Sequence, residues 1–178
     1  GRGNHGTGRN TKLTSTNTVA PSAGNPDFNY VADGKLGKGL HYHTAVDENG
    51  NVTNAFFVTL GDKPDLRFSS NVNFSVAYWC RFPAFNGVGD LGDLPFIATA
   101  VNSYGGAGFT FAPSYQLGSW SYSLNGNVQL YGPDYLIDDG NWHHLVHTFD
   151  RTGVAVTYLD GKQADVRESA MDLSDFQT

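Results

Sequence analysis

The chain has 178 residues, enough for one domain that buries roughly two-thirds of its unfolded surface without staples. Only 16% of residues are charged and the formal charge is −6, which excludes the basic footprint that nucleic acid requires. No apolar run approaches the ~20 residues that cross a bilayer as a helix, and a single cysteine, Cys80, excludes an internal disulfide. Tyrosine and phenylalanine are plentiful, and glycine, asparagine, serine and threonine fill the rest. Aromatic and β-branched residues favour strands while Gly and Asn serve turns, so the composition reads as all-β.

Residues 1–27 are polar and without periodicity, as in a solvated arm or a loosely held edge segment; 28–178 read as one domain. "GKGLHYH" (37–43) is strand-like and is followed by a polar "DENGN" turn. "NAFFVTL" (54–60) precedes a "GDKPD" turn. "FSVAYWCRF" (74–82) alternates most cleanly, with Phe74, Val76, Tyr78 and Cys80 on one face and Ser75, Ala77, Trp79 and Arg81 on the other. Cys80 there reads as a buried small hydrophobe. "LPFIATAV" (94–101), "GFTFAP" (108–113) and "GSWSYSLNG" (118–126) continue the series. Strands spaced by about ten residues, with no sustained helical period, predict a sandwich or barrel.

"GNWHHLVHTFDRTGVAVTYLDGK" (140–162) holds three of the six histidines. The spacing predicts a hairpin: a strand over 142–149, the turn "DRTG", a return strand over 154–159, and a closing "DG". On a strand His143 and His144 point apart, while His143 and His147 share a face about 13 Å apart, too far to grip one zinc. His41 and His43 lie two apart on a strand face, about 7 Å, where two ring nitrogens can converge on a metal. With no third ligand in view, they also suit half-exposed strand positions or polar contacts along a groove.

In register, these segments resemble the laminin G-like, concanavalin A-like jelly-roll family, especially its bacterial secreted and surface-protein members. "DGNWHHLVHTFDRTGVAVTYLDGKQ" (139–163) is similar to that family's W-H-H strand, D-x-x-G turn and Y-x-D-G return strand. "FVTLGDKPDLRFSSNVNFSVAYWCRF" (57–82), "VADGKLGKGLHYH" (31–43) and "GRGNHGTG" (1–8) resemble further segments in the family's order. The resemblance implies a two-sheet antiparallel β-sandwich, an extracellular or cell-surface setting, and recognition or adhesion. Where the family's opening strand ends in Phe-Asp-Gly, this chain has Tyr42, His43 and Thr44, which removes an acid that would help bind calcium. Against the family pattern the chain starts after the first strand and stops at "MDLSDFQT", before the closing strands. A fragment of a larger protein is expected, or strand donation from a neighbouring chain or segment.

The same sandwich carries glycoside hydrolases and polysaccharide lyases. A retaining glycosidase needs two carboxylates about 5–5.5 Å apart, on this fold an E-x-D-x-E strand, and none is present. The Q-x-H and R-x-E-x-R strands of alginate-lyase-like members, the G-x-S-x-G elbow and Gly-rich phosphate loops are also missing. A non-catalytic module is therefore expected, binding carbohydrate or another surface protein, with a structural spacer as a further alternative. Tyr104, Trp120, Tyr122 and Tyr131 sit among Gly, Ser and Asn as candidate sugar platforms, Trp120 also suiting the core, with His41 and His43 as polar contacts. Trp79, Trp142, Phe109 and Phe111 are expected in the core. Calcium is the ion best suited to the acidic loops "NGVGDLGD" and "LIDDGN", with Asp90, Asp93, Asp138 and Asp139 as candidate ligands. Asn51 and Asn73 begin Asn-x-Ser/Thr sequons.

Overall fold

The computed structural model describes residues 7–13, 19–22, 30–40, 45–46, 48, 52–61, 63–68, 72–82, 97–99, 108–113, 119–125, 127–130, 136–151 and 153–168. These belong to two compact units, Gly1–Pro64 and Asp65–Thr178. Every strand pairing described is antiparallel.

The first unit contains β1 (Thr7–Leu13), β2 (Val19–Ser22), β3 (Tyr30–Gly34), β4 (Gly37–Leu40), β5 (Ala45–Val46) and β6 (Val52–Thr59). Its main sheet runs β2-β1-β6-β5, and β3 and β4 form a separate hairpin. β1 has no apolar alternation, yet it pairs on both sides, from Thr7↔Thr59 to Lys12↔Asn54 and from Asn10↔Ser22 to Leu13↔Val19. Ladder bonds use main-chain groups that every residue here carries, so a polar strand can sit inside a sheet. The segment read as an arm or edge therefore supplies two strands.

The second unit follows a 3-10 turn at Pro64–Leu66. Its strands are β7 (Phe74–Cys80), β8 (Ile97–Ala98), β9 (Phe109–Pro113), β10 (Trp120–Leu124), β11 (Asn127–Leu130), β12 (His143–Phe149), β13 (Val154–Leu159) and β14 (Lys162–Glu168). They form two four-stranded sheets, β11-β10-β9-β8 and β14-β13-β12-β7. The pairs Phe149↔Phe74, His147↔Val76, Leu145↔Tyr78 and His143↔Cys80 align the inner face of the second sheet. Leu124↔Phe109, Tyr122↔Phe111 and Trp120↔Pro113 align the inner face of the first. Between them lies one aromatic core, a β-sandwich of the jelly-roll kind. Phe74 stacks on Phe68 at 4.3 Å and on Phe149 at 4.7 Å, and Tyr122 meets Phe149 edge-on at 5.5 Å.

This core takes in Trp120 and Tyr122, 0% and 1% exposed, so neither ring is a surface platform for sugar. Both follow the inward period of β10, and Ser121 and Ser123 take the other face. Trp79 departs in the opposite direction, 36% exposed, and Trp142 is half-buried outside the core cluster. Phe109 and Phe111 are buried as expected.

The predicted hairpin forms from β12 and β13, closed by Gly153 N–H donating to Asp150 O at 3.2 Å. Arg151 in its turn donates through its amide to Asn73 Oδ1 (2.8 Å) and through its guanidinium to Val72 O (3.1 Å) and Phe68 O (2.8 Å). The following "DG" is a two-residue turn with φ of 51° at Asp160 and 79° at Gly161, between the paired Leu159 and Lys162. Positive φ at both positions is the primed geometry that matches strand twist. A Cβ on Gly161 would meet nothing within 4 Å. Gly161→Ala is therefore expected to cost about 1–2 kcal/mol through φ alone, read as a lower urea midpoint with unchanged slope.

Candidate functional site

Because Phe74, Val76, Tyr78 and Cys80 turn into the core, the pleat sends Ser75, Ala77 and Trp79 outward, with Arg81 following at the strand end. On β12 the same alternation sends out His144, Val146 and Thr148. The register pairs His144 with Trp79. Their rings stack at 4.7 Å and 25°. One step further, Arg81 Cζ lies 5.0 Å over the Trp142 ring. Val146 pairs with Tyr158 of β13 beside them. Two indoles, an imidazole and an exposed guanidinium thus share one end of the outer face. At the other end of that face an open groove of about 410 Å³ lies between Asn73, Ser75, Thr148, Asp150 and Val156.

Sequence reasoning missed this strip by assigning both tryptophans to the core. The signal was present in the alternation of 74–82, which put Trp79 with Arg81 opposite the apolar set. Of the residues predicted for binding, Trp120 and Tyr122 are buried in the core. Tyr104, Tyr131, His41, His43, Asp90 and Asp93 lie outside the described residues.

Behind the strip, His143 is held on both ring nitrogens. Nδ1 meets Asp160 Oδ2 at 2.9 Å and Nε2 meets Asp139 Oδ1 at 3.0 Å. Two carboxylates facing both nitrogens require both to be donors, an imidazolium. Partial burial pulls its pKa down, but the bonds and charges of Asp160 and Asp139 outweigh it and the net shift is upward. Asp139 also accepts from the Asn141 side chain (2.9 Å) and amide (2.8 Å), and its pKa falls to about 2. Asp160 is raised by burial, but the His144 amide at 2.8 Å and the His143 ring carry its pKa below the ordinary value. This clamp ties residues 139–141 and the "DG" turn to the start of β12, where the outer-face rings begin.

The clamp bears on the chemistry proposed for the acids. Asp139 commits its oxygens to Asn141 and His143, and its neighbour Asp138 is buried at 8% exposure. Among the described residues no three or more His, Cys, Asp or Glu side chains are grouped to hold a metal. A glycosidase acid needs a raised pKa. Asp139 and Asp160 shift the other way.

His147, two pairs further along the same face of β12, lies in the core. It is fully buried, hydrogen-bonded at Nε2 to the Tyr78 hydroxyl (2.9 Å) and at Nδ1 to Thr157 Oγ1 (2.9 Å). Its ring stacks on Phe111 at 4.9 Å. This is a satisfied core histidine, on the same face as His143 and opposite His144.

Fold and face together define a two-sheet jelly-roll sandwich with a ring-bearing outer surface. The laminin G model described as the concanavalin A-like lectin/glucanases superfamily matches residues 54–177, and the chain belongs to that superfamily. Among solved structures it is similar to the binding domain of Paraclostridial Mosquitocidal Protein 1, with TM-score 0.58 and 19% identity over 94% of this chain and 41% of that one. It is also similar to the botulinum neurotoxin serotype G binding domain, with TM-score 0.46 and 16% identity over 90% of this chain and 39% of that one. The chain thus spans about two-fifths of each. No curated protein matches it.

Proposed function

We propose that this chain is a non-catalytic recognition module of an extracellular or cell-surface protein, and that it binds carbohydrate through the outer face of β7 and β12. The carrying observation is Trp79, exposed at 36% and braced by the His144 stack. An exposed indole offers a flat apolar face to a sugar ring, and nearby polar side chains take the hydroxyls. Ser75, Thr148 and Asn73 supply such groups at the other end of the same face, ~13 Å or more along β7 from Trp79, within the span of a longer oligosaccharide. The superfamily's description covers both lectins and glucanases.

The test is a glycan-array screen of the chain, run in calcium and repeated in chelator, with end products checked by chromatography. Selective binding is expected, without cleavage, and weakened about ten-fold by Trp79→Ala. Loss in chelator would add calcium to the site. Silence on every glycan by a folded sample would sink the sugar reading and leave protein contacts.

A further inference from the structure

We infer that the outer-face strip selects glycans carrying an oxyanion, a sugar carboxylate or a sulfate ester, and that Arg81 is its specificity-determining residue. The inference rests on the carbohydrate reading above and goes on to name the ligand's chemistry.

Arg81 is exposed, and its guanidinium is held 5.0 Å over the Trp142 ring. A guanidinium that lies over an indole uses its face there and keeps the N–H donors of its plane for another partner. No carboxylate among the described residues pairs with it. The acids at this end of the sheet are already engaged: Asp139 with Asn141 and His143, Asp160 with His143 and the His144 amide. A chain of net charge −6 thus presents an available cation beside an exposed stacking surface. Planar guanidinium matches carboxylate and sulfate oxygens in paired hydrogen bonds, which a neutral sugar cannot accept with the same strength. Trp79 would take the ring and Arg81 the anionic substituent.

The experiment compares matched oligosaccharides, neutral, carboxylated and sulfated, by titration calorimetry against wild type, Arg81→Gln, Arg81→Lys and Trp79→Ala. Wild type is expected to favour an acidic member by about ten-fold, with affinity falling as salt rises. Arg81→Gln should erase that preference, so that acidic and neutral members bind the variant alike. Arg81→Lys should retain part of it, because the charge remains while the fork is lost. Preference for carboxylate or for sulfate identifies the anion's source, and either supports the inference. Equal binding of all three, still sensitive to Trp79→Ala, would overturn the anion selection and leave the platform standing. An acidic preference that survives in Arg81→Gln would overturn Arg81's role. Binding to none, or binding indifferent to Trp79, would overturn the carbohydrate reading and this inference with it.

Discussion

Trp120→Ala is expected to cost about 3–5 kcal/mol of stability, the range for removing a fully buried large aromatic. Trp120 is 0% exposed at the start of β10, opposite Pro113 on β9 and in the same core as Phe111, Tyr122 and Phe149. Deleting the indole leaves a void lined by strands whose register the core itself fixes, so the site can collapse only partly. Against a typical domain stability of about 5–15 kcal/mol the loss is large enough to unfold part of the population. Urea denaturation should show the midpoint falling with little change in slope. A variant with the wild-type midpoint would place the ring outside the core and return it to the list of ligand platforms. The same experiment explains why a binding defect in Trp120→Ala would say nothing of a ligand, whereas one in the exposed Trp79→Ala would.

Much of the sandwich was legible because its strands obey period two. The segments read over 74–82, 108–113, 118–126 and 140–162 contain β7, β9, β10 and the β12–β13 hairpin, and the inward set on β7 was named residue by residue. β1 and β2 were not legible, since a polar strand that pairs through its backbone leaves no apolar pattern. The outer-face strip was missed for a related reason. Tryptophan is large and apolar, and prior expectation placed Trp79 and Trp142 in the core against the alternation that already put Trp79 beside Arg81. Tyr122 failed in the reverse sense, and Trp120, which suited core and platform alike, resolved to the core; their serine and glycine neighbours looked like surface. In a strand those serines occupy the opposite face and report nothing about the rings between them. The Asp139–His143–Asp160 clamp joins residues from three places in the sequence, and only the folded register brings them together.

His147 should make this fold acid-sensitive well above the range in which carboxylates titrate. Burial in the core lowers its pKa from 6.5 to about 3. As pH falls below about 6.5 the unfolded chain takes up a proton at this position and the folded chain does not. The stabilising contribution is complete above that value and is lost as pH falls toward the folded pKa, about 3 kcal/mol by about pH 4. His143 carries the opposite sign: its raised pKa contributes stability that is full below the unfolded value and fades as pH rises through the folded one. The two histidines on one face of β12 therefore pull the optimum from opposite sides. His147→Phe separates them. It removes the hydrogen-bond partner that the Tyr78 and Thr157 hydroxyls share, costing about 1–3 kcal/mol at neutral pH, yet it removes the acid-dependent term. Urea midpoints of both proteins, taken from about pH 7 down to about pH 4, are expected to converge as the wild type loses what the variant never had. Parallel curves would mean that His147 takes up its proton in the folded state as readily as in the unfolded chain, and the buried neutral imidazole bridging Tyr78 and Thr157 would have to be abandoned.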